Sequence, residues 1–113
     1  AIAALDNGRG KKYFALNVAS SGGVALDYPP TRAILSGAYG DHPLRGTRWV
    51  TSAGAKDSER DGIAAMRRTA AWLKEQGATV ELSIEDPNLG HGALVLNPSN
   101  TKRLLDLFLA EKK

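Results

Sequence analysis

Cysteine is missing from this chain of 113 residues. That excludes a disulfide framework, a thiolate nucleophile and a thiolate metal site. The absence fits a reducing compartment and is also compatible with the periplasm, so localisation stays open. Histidine is scarce. His42 and His91 are far apart, and neither sits in a ligand-spaced cluster, so no metal centre is expected. No apolar run approaches the roughly 20 residues of a membrane-spanning helix, and no leader segment is visible. Aromatic residues make up 6% of the chain and do not interleave with the basic pairs Lys11-Lys12, Arg67-Arg68, Lys102-Arg103 and Lys112-Lys113. A net charge of +3 distributed this way reads as a solvated surface, and a nucleic-acid partner is not expected. Gly37-Ala38-Tyr39-Gly40 carries neither a phosphate-loop nor a dinucleotide fingerprint, so no cofactor is expected.

What is present is an ordinary globular balance, 42% hydrophobic and 24% charged. The length allows one small domain, or a fragment of a larger one. Residues 1–12, with Asp6-Asn7-Gly8-Arg9-Gly10, read as a flexible entry segment. Tyr13 to Ala19 alternates like a strand, and Ser20-Ser21-Gly22-Gly23 is a turn signal. Val24, Leu26 and Tyr28 alternate again until Pro29-Pro30 stops any ladder. Thr31 to Ser36 reads as a short buried strand, Gly37 to Gly46 as a loop and Arg48 to Ser52 as another strand.

Residues 59–76 have helical spacing through Ile63, Met66, Ala70 and Leu73, with Ser58 and Asp61 as a capping box and Gly77 as the stop. In the next strand Val80, Leu82 and Ile84 alternate with Glu81, Ser83 and Glu85, as in an edge strand. A last helix, opened by Asn97-Pro98 and running to about Ala110, is expected to bury Leu104, Leu105, Phe108 and Leu109. Trp49 and Trp72 read as packing residues. The strand–helix order argues for an α/β fold with a mostly parallel sheet flanked by helices.

Two loops in this scheme carry chemistry. Gly54-Ala55-Lys56-Asp57 ends one strand, and Pro87-Asn88-Leu89-Gly90-His91-Gly92 follows the next. Loops after parallel strands gather at one edge of the sheet. Asp57 and His91 can meet there, the carboxylate orienting the ring and stabilising its protonated form. Asp57 could equally cap the following helix. Asp61 and Asp86 are rival acids, although Asp86 before Pro87 reads better as a turn residue. His42, in Gly40-Asp41-His42-Pro43, is a weaker candidate.

From Arg32 onward the chain resembles the C-terminal part of an α/β-hydrolase of the esterase/lipase kind. The resemblance rests on the order strand, Gly54-x-x-Asp57, helix, Gly77, strand, Gly90-His91, helix. It implies that Asp57 and His91 are the acid and base of a catalytic triad that cleaves carboxylic esters or related acyl bonds. The nucleophile elbow of that family is Gly-x-Ser-x-Gly. The best match is Ala19-Ser20-Ser21-Gly22-Gly23, which would make Ser21 the nucleophile and the Gly22 amide an oxyanion donor. The second donor would lie in an N-terminal loop that the matched region does not include. The same segment reads as a β-hairpin, two alternating stretches about a Ser/Gly turn, which would leave no nucleophile.

Such domains usually exceed this length, so the expected partners are a small ester substrate and either a second copy or the remainder of a larger fold. The alternative is a non-catalytic, hydrolase-like domain that binds another polypeptide.

Overall fold

The computed structural model describes residues 16–22, 27–57 and 62–111. In chain order the elements are β1 (Asn17–Ser20), α1 (Pro29–Leu35), β2 (Arg48–Gly54), α2 (Ile63–Glu75), β3 (Thr79–Asp86), α3 (Ala93–Leu96) and α4 (Pro98–Glu111). The three strands form one parallel sheet in the order β1-β2-β3. The α/β class read from the strand–helix alternation holds at this level.

β2 is the central strand of the described sheet, and its side chains alternate between two apolar layers. Trp49 packs with Ile34, Leu44, Trp72, Leu73 and Ala78 on the face covered by α1 and α2. Val50, one residue on, packs with Ile84 and Leu94 on the face covered by α3 and α4. Burying a side chain such as Val50 or Ile84 completely contributes about 1.5–3 kcal/mol. β3 departs from the even alternation expected of it. Trp49 pairs with Val80 but Val50 pairs with Leu82, so Glu81 is an extra residue at a bulge. Val80 therefore joins the Trp49 layer while Leu82 joins the Val50 layer. Glu81 is held by Arg48 Nε at 2.8 Å.

Other expectations are corrected. Thr31 to Ser36 is not a strand. Residues 31–35 belong to α1, and Thr31 and Ile34, three apart, are its buried pair. A short apolar run cannot by itself separate helix from strand. Pro29 and Pro30 open this helix, because a first-turn proline gives up an amide that has no helical partner anyway. Tyr28, the end of the expected second hairpin arm, is the residue before α1, and β1 pairs in parallel with β2. Residues 24–26 of that arm, Tyr13 to Ala15 of the first, and the entry segment 1–12 lie outside the described residues.

α2 begins at Ile63 with Gly62 before it, and the capping box at Ser58 and Asp61 also lies outside the described residues. Gly77 has φ +94° and ends α2 as expected. Leu44, placed by the sequence in a loop, is fully buried and donates its amide to Gln76 O at 2.9 Å. In α4, Leu104 and Phe108 are partly buried, whereas Leu105 and Leu109 are exposed, contrary to expectation. Among the described residues no helix is long and apolar enough to cross a membrane.

Candidate active site

The loops that follow β2 and β3 leave the same edge of the sheet and are laced together by backbone. Ala55 N donates to Asp86 O at 2.8 Å and Lys56 N to Leu89 O at 3.0 Å. The approach is close enough to demand glycine at the crossing. A Cβ on Gly54 would overlap Leu89 O and Gly90 O and lie 2.7 Å from the Leu89 carbonyl carbon. A Cβ on Gly90 would sit 3.2 Å from the Lys56 carbonyl. The first glycine of Gly-x-x-Asp is thus required by the contact between loops, and its carbonyl also accepts from Asp57 N at 3.2 Å.

This lacing brings Asp57 and His91 together. His91 Nδ1 lies 3.2 Å from Asp57 Oδ2. The Asp57 side chain is 8% exposed and the His91 side chain 71% exposed. A buried carboxylate accepting from Nδ1–H fixes the ring as the Nδ1–H tautomer, which leaves Nε2 with a free lone pair. An oriented imidazole with one basic nitrogen toward solvent can accept a proton from a hydroxyl or water brought to it.

Ser21 stands at the same edge. Its φ is +52°, uncommon for a residue with a Cβ, and it is 6% exposed. Its amide donates to Ser52 O at 2.9 Å, and its Oγ accepts from Gly92 N at 3.0 Å. The structure thus places Ser21 against the backbone that follows His91. Among the described residues its hydroxyl has no hydrogen bond to the His91 ring. Gly22 is partly buried, and a Cβ there would meet only Ser20 O at 3.8 Å.

The rival residues fall elsewhere. His42 lies in the loop before β2, where Arg45 N donates to His42 O and a Cβ on Gly77 would sit 2.9 Å from His42 Cβ. That is the edge where β2 and β3 begin, opposite the Asp57–His91 pair. Asp61 lies outside the described residues.

Asp86 is buried and serves as a clamp. Its Oδ1 accepts from Asn88 N at 2.8 Å and Leu89 N at 3.1 Å, the turn role expected of it. Its Oδ2 accepts from Asn97 Nδ2 at 2.8 Å and Asn100 Nδ2 at 2.9 Å. Asn100 Nδ2 also reaches Ala93 O at 3.1 Å. The His91 loop is thereby tied to both helices that follow it. These donors, led by the Asn97 amide and the Asn88 backbone N–H, outweigh the opposing effect of burial and hold the Asp86 carboxyl at about 2. The sequence signal was the spacing of Asp86 from Asn97 and Asn100, but no local rule connects residues that far apart.

The described residues hold no cluster of three or more potential metal ligands. A shallow cavity of about 250 Å³ between α2 and the sheet is lined by Thr51, Met66, Arg67 and Ser83 among others, and by neither Asp57 nor His91. Compared with protein-family models, curated proteins and solved structures, the chain matches none.

Proposed function

We propose that this chain supplies the base and the orienting acid of a hydrolase acting on carboxylic esters or related acyl bonds, within a larger domain of the α/β-hydrolase kind. One observation carries the reading: the 3.2 Å contact from His91 Nδ1 to the buried Asp57 carboxylate at the C-terminal edge of a parallel sheet, with the rest of the ring open. The chain order of strand, Gly54-x-x-Asp57, helix, strand, Gly90-His91 and helix adds support.

In this mechanism Nε2 of His91 takes the proton of an attacking hydroxyl and returns it to the leaving alcohol. It then takes a proton from the water that attacks the acyl group and returns it to the oxygen that had carried the acyl group, restoring the hydroxyl and the neutral ring. Asp57 keeps Nδ1–H directed inward and stabilises the imidazolium in both steps. The resemblance would assign the attacking hydroxyl to Ser21 and one oxyanion donor to the Gly22 amide, an assignment separable from the role of His91.

The test is hydrolysis of p-nitrophenyl acetate by the chain and its two histidine variants. His42 and His91 are the only histidines, both are exposed, and His91 alone faces a buried carboxylate across 3.2 Å. His91→Ala should remove most of the protein-dependent rate, on the order of tenfold or more. His42→Ala should leave it nearly unchanged. Equal losses in the two variants would reduce the pair to ordinary surface chemistry and defeat the proposal.

A second reading has its own observation. Val95, Leu96, Leu105 and Leu109 are exposed on α3 and α4, which suits a non-catalytic domain that binds another polypeptide. It forecasts the same ester turnover in the wild type and in His91→Ala.

A further inference from the structure

We infer that Ser21 is a positioning residue for the His91 loop, and that the hydroxyl or water activated by His91 is supplied on the open side of the ring. The inference rests on the hydrolase reading and refines it. The geometry around Ser21 carries it in three ways.

The first is the direction of the hydrogen bond. Gly92 N–H donates to Ser21 Oγ at 3.0 Å. A hydroxyl oxygen has two lone pairs, and one of them is committed to an amide of the His91 loop. The second is access. Ser21 is 6% exposed, whereas the His91 side chain is 71% exposed. A nucleophile must be reached by the substrate carbonyl at about 3–3.5 Å, and a residue this buried offers little room for that approach. The third is backbone. Ser21 holds φ +52° while its amide bonds Ser52 O in β2 and its side chain bonds the residue after His91, beyond β3. One residue thus ties the end of β1 to β2 and to the loop that follows β3. Strain of this kind persists where the surroundings over-determine it.

The role follows directly. Gly92 has φ +82° and adjoins His91. An anchor on its amide sets where the loop leaves the sheet, and with it the approach of Nδ1 to Asp57.

The test uses Ser21→Ala and Ser21→Gly in the full chain, with three readouts. Ser21→Ala removes the acceptor but keeps the disfavoured φ, and Ser21→Gly removes the acceptor and the strain together. Amide exchange at Gly92 should accelerate by roughly tenfold in both variants. The His91 ring nitrogens, read by long-range ¹⁵N–¹H correlation, should change from one tautomer to a mixture of two. A residue that merely fills space would leave the ring tautomer unchanged. Ester turnover should fall several-fold but not to the His91→Ala level. If Ser21→Ala lowers stability too far to measure, Ser21→Gly supplies the same readouts without the strain.

A fluorophosphonate probe on the wild-type chain completes the test, with no adduct expected on Ser21. An adduct on Ser21 that disappears in His91→Ala would overturn the inference and make Ser21 the nucleophile. Unchanged Gly92 exchange in both variants would overturn it as well. The His91 and His42 comparison decides by itself whether His91 drives ester turnover, and a His91-dependent adduct on Ser21 would overturn the positioning role while leaving that reading standing.

Discussion

Gly54→Ala should separate the Asp57–His91 pair while leaving both residues in place in the sequence. The new methyl would overlap two carbonyl oxygens, Leu89 O and Gly90 O. Both are backbone atoms, so no side-chain rotation can relieve the overlap. Either β2 or the loop before His91 has to move by about 1 Å to restore ordinary contact. The bonds at risk are Lys56 N to Leu89 O at 3.0 Å and His91 to Asp57 at 3.2 Å. The second is already near the outer limit for a hydrogen bond. Overpacking of this kind costs about 1–3 kcal/mol, sometimes more. We expect a lower urea midpoint at unchanged slope, together with loss of ester turnover comparable to Asp57→Ala. Gly22→Ala is the control: Ser20 O at 3.8 Å is an ordinary contact, and stability should hardly change. If Gly54→Ala folds with wild-type stability and activity, the two loops do not approach as closely as described.

The second large effect is expected at Asp86. Four donors converge on its two oxygens, two backbone amides on Oδ1 and the Asn97 and Asn100 side chains on Oδ2. Asp86→Asn keeps the shape but turns one acceptor into an NH₂ group. Placed at Oδ2, that group faces two other NH₂ groups, and placed at Oδ1 it faces two backbone N–H groups. Either way buried donors are left unsatisfied, the costly case for polar groups. Asp86→Asn should therefore be no better than Asp86→Ala. In both variants amide exchange at Leu89 and Gly92 should rise on the order of tenfold or more.

The pH dependence has a definite sign. The folded carboxyl titrates at about 2, below its ordinary value of 3.8, so the unfolded chain binds the proton more readily. The stabilisation by Asp86 is complete above the ordinary value and fades as pH falls from 3.8 toward about 2. Wild-type stability should decline across that window, and Asp86→Asn should show a flatter profile there. Parallel profiles for the two proteins would show that Asp86 is not the linked group.

Where the sequence could be read and where it could not has physical causes. Helical spacing in α2 and α4 and a glycine stop at Gly77 are local patterns, and they located both long helices. The strand–helix alternation was enough for the parallel sheet. Residues 31–35 read as a strand but form a helix, because a short apolar run beside prolines has no decisive period, and only tertiary packing of Thr31 and Ile34 selects the helix. The bulge at Glu81 is invisible in an alternating pattern, since it changes the partner strand's register and not the composition. At the site, Asp57 and His91 were legible because each sits in a glycine-marked loop after a strand. The Gly54 crossing, the Asp86 clamp and the Ser21 anchor depend on atoms that approach only after the strands pair. Ser21 illustrates the limit: its Ser-Gly-Gly neighbourhood suggests an elbow or a hairpin, and neither local pattern contains its bond to Gly92, 71 residues away.

The proposed chemistry requires that the buried Asp57 carboxylate orient His91 with Nε2 free. Long-range ¹⁵N–¹H correlation of the two histidine rings, recorded above the ordinary histidine titration range, tests it most directly. A proton on Nδ1 and a bare Nε2 are expected for His91, a pattern lost in Asp57→Ala and absent from His42. A His91 ring protonated on Nε2, or one indistinguishable from His42, would contradict it.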